Sequence, residues 1–359
     1  MPSWSNTPSG TMTACVLSKL GAPATEAFTI QTDYPRPTLP SPSWVLVRVH
    51  MAGMNRSDLR ARIDEYLVPR EFGIFEDEYQ PVSPKVIGEE FVGEVEEAGS
   101  ATDFKKGERV AGFIYGGGKA FDGSYANYTI CPAERCWKLG EDALSLPWET
   151  LGAIPMSMWA AYGSLFVGGD TKPGDSVLVH GATSAVGVWC ILLAKERGCT
   201  VVASTRQPGK VQKLKDLGAD HVLLEDDLVK HGLRRNLCPD GVNTVIELVG
   251  VSTWTTVGLP ALAFRGTLVN MGILNLQWQT DIFHAAAIPN QRRITSYTLA
   301  VEDVPLSRDV LIDVVSKVKK GIWRQEQFLD SVFDIQDVAQ AHIHMEQNKA
   351  VGKVLLRLP

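Results

Sequence analysis

The sequence predicts an α/β protein in which a doubly wound parallel sheet is inserted into a β-rich domain. Residues 1–155 contain short β-type runs broken by turn residues, such as WVLVRV and SYANYTICP. From about Pro173, apolar strand-like runs alternate with helix-length stretches, which is typical of a parallel sheet. The final run, KVLLRL, again resembles the strands of the first part. We therefore expect one domain to comprise residues 1–155 and 310–359, and the other to comprise residues 156–309.

The composition favours a soluble globular protein whose partners are neither nucleic acid nor a membrane. The 359 residues are 45% hydrophobic and 21% charged, with a formal net charge of −6. The six cysteines contain no CxxC pair, so neither a disulfide framework nor a zinc ribbon is indicated. The N-terminal MPSWSNTPSG lacks the features of a secretory signal or a mitochondrial presequence, and no apolar run reaches about 18 residues. We expect a cytoplasmic protein.

The stretch VLVHGATSAVGV has the order strand, small-residue turn, helix that a dinucleotide-binding turn requires. The three glycine positions of the usual fingerprint fall on Ala182, Ser184 and Gly187. A tight turn needs only small residues and free backbone amides near the pyrophosphate. We therefore predict that Ser184, Ala185, Val186 and Gly187 bind the cofactor. The alternative is a small-residue turn in a sheet that binds no nucleotide.

The end of the second strand of this domain favours NADPH over NADH. An NAD-specific protein places an Asp or Glu there, whereas this chain has Ser204, Thr205 and Arg206, with Lys210 one turn later. Hydroxyl groups and cations attract a 2′-phosphate that a carboxylate would repel. The alternative is a solvated loop that happens to be basic.

Two further glycines follow predicted strands of the same sheet. Gly250 ends VIELVG and Gly272 ends VNMG. Because ligands bind at the carboxyl ends of parallel strands, we expect both glycines to line the cofactor site.

Several motifs resemble the medium-chain dehydrogenase/reductase superfamily, particularly its zinc-free quinone oxidoreductase and enoyl reductase branch. The motifs span nearly the whole chain, and they are MAGMNRSDL, VIGEEFVGEVEEAGSATDFKKGERV, GSYANY, KPGDSVLVHGATSAVG and GKVLL. The resemblance implies a GroES-like catalytic domain built from both termini, with a Rossmann domain between them. It also implies that Ala182 is ordinary for this branch, whereas Ser184 is a departure.

The resemblance argues against a catalytic metal. Zinc-dependent members carry a Cys where this chain has Asn55 and a His where it has Glu89. His342 and His344 do not replace these ligands, because side chains two residues apart on a helix point in different directions. We expect both histidines to lie at the surface and the protein to bind no metal.

The resemblance also indicates two catalytic residues. Tyr66 lies eleven residues after Asn55, the spacing at which enoyl-thioester reductases of this branch place their active-site tyrosine. A phenol can donate a hydrogen bond to an oxyanion and deliver a proton, unless Tyr66 only shapes the cleft and water is the donor. Asn55 is expected to hydrogen-bond the nicotinamide ribose or the substrate, unless it only forms a turn. Residues 67–84 are either a lid or a solvated excursion.

These features predict an NADPH-dependent, zinc-independent reductase of quinones or activated C=C bonds such as enones. Without a Lewis acid, chemistry shifts toward acceptors that are already electrophilic. One alternative is an enoyl-thioester reductase of fatty acid or polyketide synthesis. Another, of a different class, is a crystallin-like or vesicle-associated protein that binds NADPH without catalysis. The resemblance also implies a homodimer, because relatives often pair their last Rossmann strands across a two-fold axis, and the apolar run at residues 293–302 fits that pairing; a monomer is the alternative.

Overall fold

The computed structural model describes residues 10–63, 86–113, 117–119, 121–233, 237–277, 279–281, 285–299 and 308–359. The chain divides into two compact units. The β-rich unit comprises residues 1–156 and 302–359, and the parallel-sheet unit comprises residues 157–301. The second boundary, between residues 301 and 302, falls within the range 300–307, which the structure does not describe.

The described residues form strands and helices in the following order. The strands are β1 Thr11–Leu17, β2 Phe28–Pro35, β3 Trp44–Met54, β4 Glu90–Ala98, β5 Arg109–Phe113, β6 Tyr128–Pro132, β7 Cys136–Lys138, β8 Ser176–His180, β9 Thr200–Thr205, β10 His221–Leu224, β11 Val242–Glu247, β12 Leu262–Asn270, β13 Arg293–Ser296, β14 Leu329–Asp334 and β15 Lys353–Arg357. The helices are α1 Ala24–Ala27, α2 Arg56–Ile63, α3 Trp148–Gly152, α4 Pro155–Tyr162, α5 Ala185–Glu196, α6 Val211–Asp216, α7 Glu225–His231, α8 Leu259–Ala261, α9 Arg308–Lys319, α10 Gln325–Phe328 and α11 Val338–Glu346.

The β-rich unit contains a seven-stranded sheet in the order β14-β15-β3-β4-β5-β7, with β6 also paired to β3. Its neighbours are antiparallel except for β14 and β15. The C-terminal strand β15 pairs with β3, so the chain returns to its first unit. Alternate residues of β3, β4 and β15 face one apolar core, which includes Val47, Val49, Val95, Val354 and Leu356.

The parallel-sheet unit contains six strands in the order β10-β9-β8-β11-β12-β13, all parallel. The strand β8 is buried almost throughout, as expected for a strand covered on both faces. The order reverses between β8 and β11, and ligands bind at such a switch point in open α/β sheets. The predicted fold class is confirmed.

One described segment, Trp148–Gly168, is long and apolar enough to cross a membrane by length and composition. The sequence predicted no such segment. Because 72% of its most apolar window is buried inside the structure, it also fits the core helices of a soluble protein.

The prediction that both C-terminal histidines lie at the surface is wrong for His342. This side chain is 0% exposed, because it shares the inward face of α11 with Val338 and Ala341. Its ring packs 4.8 Å from that of Phe28. His344 is half-buried, and its Nε2 lies 2.8 Å from Asp330 Oδ2.

Candidate active site

The turn after β8 has the geometry that a phosphate-binding turn needs. Gly181 has φ +86°, a left-handed conformation that glycine adopts at little steric cost. Ser184 caps α5: its Oγ accepts the Gly187 N–H at 3.1 Å and donates to the Gly181 carbonyl at 3.0 Å. Ala185 and Val186 then form the first turn of the helix, where backbone N–H groups lack intrahelical partners and favour an anion.

Gly187 allows the helix to approach the strand closely. A Cβ atom added at Gly187 would lie 2.7 Å from backbone atoms of Ala182. No larger side chain fits without moving the turn. Gly181 therefore supplies the turn conformation, Ser184 the cap and Gly187 the close approach, although two glycines of the usual fingerprint are absent.

The end of β9 lies directly beside this turn. Ser204 and Thr205 are buried, and their hydroxyl groups accept the backbone N–H groups of Gly181 at 3.2 Å and Gln207 at 3.1 Å. Arg206 is exposed, and Lys210 is half-buried one turn later. The hydroxyl groups thus shape the backbone, and the accessible cationic side chain is that of Arg206.

A buried acid–base pair joins the ends of β8 and β11. The Nδ1 atom of His180 lies 2.9 Å from Glu247 Oε1, and neither side chain is exposed. Glu247 Oε1 also accepts the backbone N–H groups of Val249 at 2.8 Å and Gly250 at 3.3 Å. The sequence did not indicate this pair, because His180 and Glu247 lie 67 positions apart in the chain.

The two remaining predicted glycines lie at the same edge of the sheet. Gly250 has φ +142°, and a Cβ added there would collide with the side chain of Asn275. Gly272 donates its N–H to the Glu247 carbonyl at 3.1 Å, and a Cβ added there would lie 2.6 Å from Leu248 O. All the predicted cofactor residues therefore lie at, or shortly after, the carboxyl ends of β8, β9, β11 and β12.

In the β-rich unit, Asn55 begins helix α2. Its backbone N–H donates to Asp58 Oδ2 at 2.7 Å, and the Asp58 N–H donates to the Asn55 carbonyl at 3.1 Å. This is the N3 half of a capping box, and it fixes the entry of the chain into the helix. Burial raises the pKa of the Asp58 carboxyl well above its ordinary value, and the nearby carboxylate of Glu89 raises it further.

The side chain of Asn55 belongs to a buried polar cluster that the sequence analysis missed, the Asn55–Glu90–Lys353 cluster. Lys353 Nζ donates to Asn55 Oδ1 at 2.7 Å and forms an ion pair with Glu90. Lys353 and Glu90 are each 1% exposed. Strand register explains the meeting, because Val354 pairs with Met54 and the next antiparallel positions are Lys353 and Asn55. The sequence signal that could have indicated this cluster was Lys353, a charged residue at the start of the strand, before the apolar run of the GKVLL motif.

The position of the second zinc ligand in zinc-dependent relatives is occupied by an ion pair. Glu89 is 6% exposed, and its Oε2 accepts a hydrogen bond from Lys119 Nζ at 2.9 Å. Within the described part of the chain, no three His, Cys, Asp or Glu residues converge as a metal-binding group. A cation close to Glu89 opposes binding of a second cation there.

Two parts of the predicted site lie outside the described residues. These are Tyr66 and the connector at residues 67–84.

Comparison with known families covers both units. Residues 41–141 match the alcohol dehydrogenase GroES-like domain, and residues 185–311 match the family described as zinc-binding dehydrogenase. The chain belongs to the medium-chain dehydrogenase/reductase family. This agrees with the resemblance carried by the sequence motifs, and it makes the protein a member of an oxidoreductase family that binds NAD(P).

Relatives in this family have diverse names. The chain is 28% identical to the quinone oxidoreductase-like protein 2 of Bos taurus, over 92% of this chain and 88% of that protein. It is 26% identical to the synaptic vesicle membrane protein VAT-1 homolog of Danio rerio, over 91% of this chain and 66% of that protein. It is 27% identical to highly reducing polyketide synthase 40 of Fusarium pseudograminearum, over 74% of this chain and 10% of that protein.

Among solved structures, a mycobacterial protein complexed with NADPH has the same fold. The TM-score is 0.76 and the sequence identity is 25%, over 97% of this chain and 100% of that protein.

Proposed function

We propose that the protein is an NADPH-dependent reductase that transfers hydride to quinones or activated C=C bonds, such as enones, without a metal ion. The observation that supports it best is the edge of the parallel sheet at its switch point. There, the tight turn after β8 lies beside β9, whose end carries the exposed guanidinium of Arg206.

The residues at this edge fit a nicotinamide dinucleotide phosphate. The free N–H groups of the first turn of α5, at Ala185 and Val186, would bind the pyrophosphate. Arg206, with Lys210 in support, would bind the 2′-phosphate by charge-assisted hydrogen bonds. Gly250 and Gly272 would line the same edge. When bound, NADPH supplies the hydride, and the protein supplies binding and orientation.

Metal independence is supported by the electrostatics around Asn55 and Glu89. Lys119 forms an ion pair with Glu89, and Lys353 donates a hydrogen bond to Asn55 Oδ1. Both side chains therefore already face a cation. An acceptor that needs no Lewis acid is one whose carbon is already electrophilic, as in a quinone or an enone. Hydride addition to an enone produces an enolate that must be stabilised and then protonated. We propose Tyr66 as the donor, with water as the alternative.

The polyketide synthase relative favours an alternative within the same chemistry. An enoyl-thioester reductase would also add hydride to a conjugated C=C bond, with the thioester as the activating group. A second alternative is a protein that binds NADPH without catalysis. The similarity to a relative named as a vesicle membrane protein supports this alternative. The alternative predicts thermal stabilisation by NADPH without reduction of any acceptor.

An acceptor panel tests the proposal. Purified protein, dialysed against a chelator and analysed for zinc, is assayed with NADPH and NADH against an ortho-naphthoquinone, an enone and an enoyl thioester. We expect turnover with NADPH on the quinone or the enone at a zinc content near zero. A much higher kcat/KM for the thioester would favour the alternative reductase. Turnover that requires zinc, or that uses NADH better, would overturn the proposal.

We further propose a cytoplasmic homodimer without nucleic-acid or membrane partners. Among the described strands, β13 is the edge of the six-stranded sheet, and an edge strand can pair with a second copy of the chain. Sedimentation analysis tests the dimer.

A further inference from the structure

We propose that Lys353 and Glu90 are positioning residues that fix the side-chain amide of Asn55 as a hydrogen-bond acceptor. The ligand group that Asn55 binds is then a hydroxyl or N–H group of the nicotinamide nucleotide, and not an oxygen of the reducible substrate. This inference rests on the proposed function, because it takes the substrate to be a quinone or an enone.

Both hydrogen atoms of the Asn55 amide have partners within the protein. An amide nitrogen carries two hydrogens and can donate two hydrogen bonds. Asn55 Nδ2 donates to the Gly53 carbonyl at 3.1 Å and to Glu90 Oε2 at 3.0 Å. Both donors are therefore used within the protein. A ligand that reaches this amide meets only the remaining lone pair of Oδ1.

Lys353 prevents the amide from turning over. An ammonium group only donates hydrogen bonds, so the atom that faces it at 2.7 Å must be the amide oxygen. The reversed amide would direct N–H groups at the ammonium and its carbonyl oxygen at the carboxylate of Glu90. The usual ambiguity between the oxygen and nitrogen of an Asn is thus removed by a donor-only partner on one side and an acceptor on the other.

The two positioning residues are themselves held firmly. Each is 1% exposed, and Glu90 Oε1 accepts the backbone N–H of Met156 at 2.9 Å. Gly53 provides the space for them, because a Cβ added there would lie 2.9 Å from Lys353 Cε and closer still to the Glu90 carboxylate. A buried ion pair contributes little net stability, so a role in fixing orientation accounts better for its presence.

The chemistry of the two ligands then identifies the partner. The oxygens of quinones, enones and enolates accept hydrogen bonds and have no proton to donate to Asn55 Oδ1. A nicotinamide nucleotide carries ribose hydroxyl groups and a carboxamide NH₂, which are donors. From the sequence, the partner of Asn55 could be either the nicotinamide ribose or the substrate, and the hydrogen bonds that the amide already makes select the nucleotide. The oxyanion must therefore be stabilised by another group.

Two substitutions at Asn55 test whether its side chain acts as a hydrogen-bond acceptor toward the nucleotide. Asn55→Asp keeps an acceptor oxygen at this position, and a proton shared with Glu90 relieves the repulsion between the two carboxylates. Asn55→Leu keeps only the volume of the side chain. We expect the Kd of NADPH to stay within about threefold for Asn55→Asp and to rise about tenfold or more for Asn55→Leu, as loss of one hydrogen bond implies. The KM of the acceptor should not change. A large loss of kcat with unchanged NADPH affinity in Asn55→Asp would show a donor role and overturn the inference.

A double substitution tests the positioning residues without leaving a buried charge unpaired. In Glu90→Gln/Lys353→Met, the amide of Asn55 is free to turn over. We expect a raised Kd for NADPH, with kcat at saturating NADPH within about twofold of wild type. The matched control is Glu96→Gln/Lys106→Met, which removes a more exposed ion pair of the same unit and should leave both constants unchanged. An unchanged Kd in a folded Glu90/Lys353 variant would overturn the inference.

A readout on the free protein separates this inference from the proposed function. In the ¹⁵N spectrum of the unliganded protein, both side-chain N–H protons of Asn55 should exchange slowly with solvent, and the double variant should lose this protection. Absence of protection in wild type would contradict the inference. Protection in wild type, together with failure to turn over any acceptor, would contradict only the proposed function. If the double variant does not fold, the two Asn55 variants and the wild-type spectrum still decide the outcome.

Discussion

His180 Nδ1 lies 2.9 Å from both carboxylate oxygens of Glu247, and both side chains are fully buried at the edge of the parallel sheet. Burial alone would lower the pKa of His180, but the carboxylates of Glu247 and of Glu225, 3.8 Å from Nε2, raise it overall. The folded protein therefore binds a proton more tightly than the unfolded chain. Through Glu247 Oε1, the pair also holds the backbone N–H groups of Val249 and Gly250.

We predict that the free energy of unfolding decreases as pH rises through the raised pKa of His180. The stabilisation is fully present below the unfolded pKa of about 6.5 and is lost above the folded value. Chemical denaturation from mildly acidic to mildly alkaline pH measures it. His180→Asn should show a flatter profile over this window, whereas the exposed control His231→Asn should match wild type. Identical slopes in wild type and His180→Asn would contradict the prediction.

We predict the opposite pH dependence for His342. Burial, with a smaller effect of Arg62, lowers its pKa to about 3, so the folded protein holds it neutral. As pH falls below about 6.5, this residue should remove up to roughly 1.4 kcal/mol of stability per pH unit. Neither ring nitrogen has a hydrogen-bond partner among the described residues. His342→Leu should therefore reduce the acid sensitivity of the unfolding free energy, and an unchanged acid limb would count against this account.

We predict that Gly187→Ala weakens both folding and nucleotide binding. The added Cβ would collide with the backbone of Ala182, and such overpacking costs about 1–3 kcal/mol. Opening of the turn should also raise the Kd of NADPH, which calorimetry measures. Gly209→Ala is the control for stability, because its Cβ meets nothing within 4 Å, and it should stay within about 0.5 kcal/mol of wild type.

We predict that Arg206→Ala reduces the preference for NADPH over NADH about 10- to 100-fold, since a charge-assisted hydrogen bond contributes about 1.5–3 kcal/mol. The Kd of NADH should hardly change. Arg265 is exposed in the first half of β12, away from the carboxyl end of this strand. The control Arg265→Ala should leave the affinities for NADPH and NADH unchanged. Equal weakening of NADPH and NADH by Arg206→Ala would place this side chain away from the 2′-phosphate.

We predict that Tyr66→Phe lowers kcat for enones about 10²-fold or more without altering the Kd of NADPH, because it removes the general acid and the phenol hydrogen bond. Quinone reduction should be less affected, since a quinone gives a stabilised product anion. Steady-state kinetics with both acceptors measure the difference. Full turnover of enones by the variant would assign the proton to water.

Much of the fold, and the turn at the carboxyl edge of the parallel sheet, was predictable because the relevant signals are local. Buried strands such as SVLVH are continuous apolar runs, and their alternation with helices indicates a parallel sheet wherever it occurs. The turn at residues 181–187 also depends on local chemistry: a left-handed glycine, a serine cap and a small residue at the close approach. Patterns of this kind depend on neighbours a few residues away.

Other features depended on which distant residues meet. Both histidines of α11 were predicted to lie at the surface, but the burial of His342 depends on what covers that face of the helix. Ser204 was predicted from its position to attract a phosphate, and the structure uses its hydroxyl to accept the N–H of Gly181. The sequence shows a residue's donor and acceptor groups, but it does not show which of them are already occupied.

The sequence by itself determined the class of fold and the residues that stand at the carboxyl edge of the parallel sheet, because hydrophobic period and turn chemistry are properties of short segments. Only the tertiary structure decided which atom of the Asn55 amide remains available to a ligand, namely the acceptor oxygen. The partners of this amide, Glu90 and Lys353, lie 35 and 298 positions away in the chain. They meet through the register of β15 on β3, and that register is set by packing of the whole sheet.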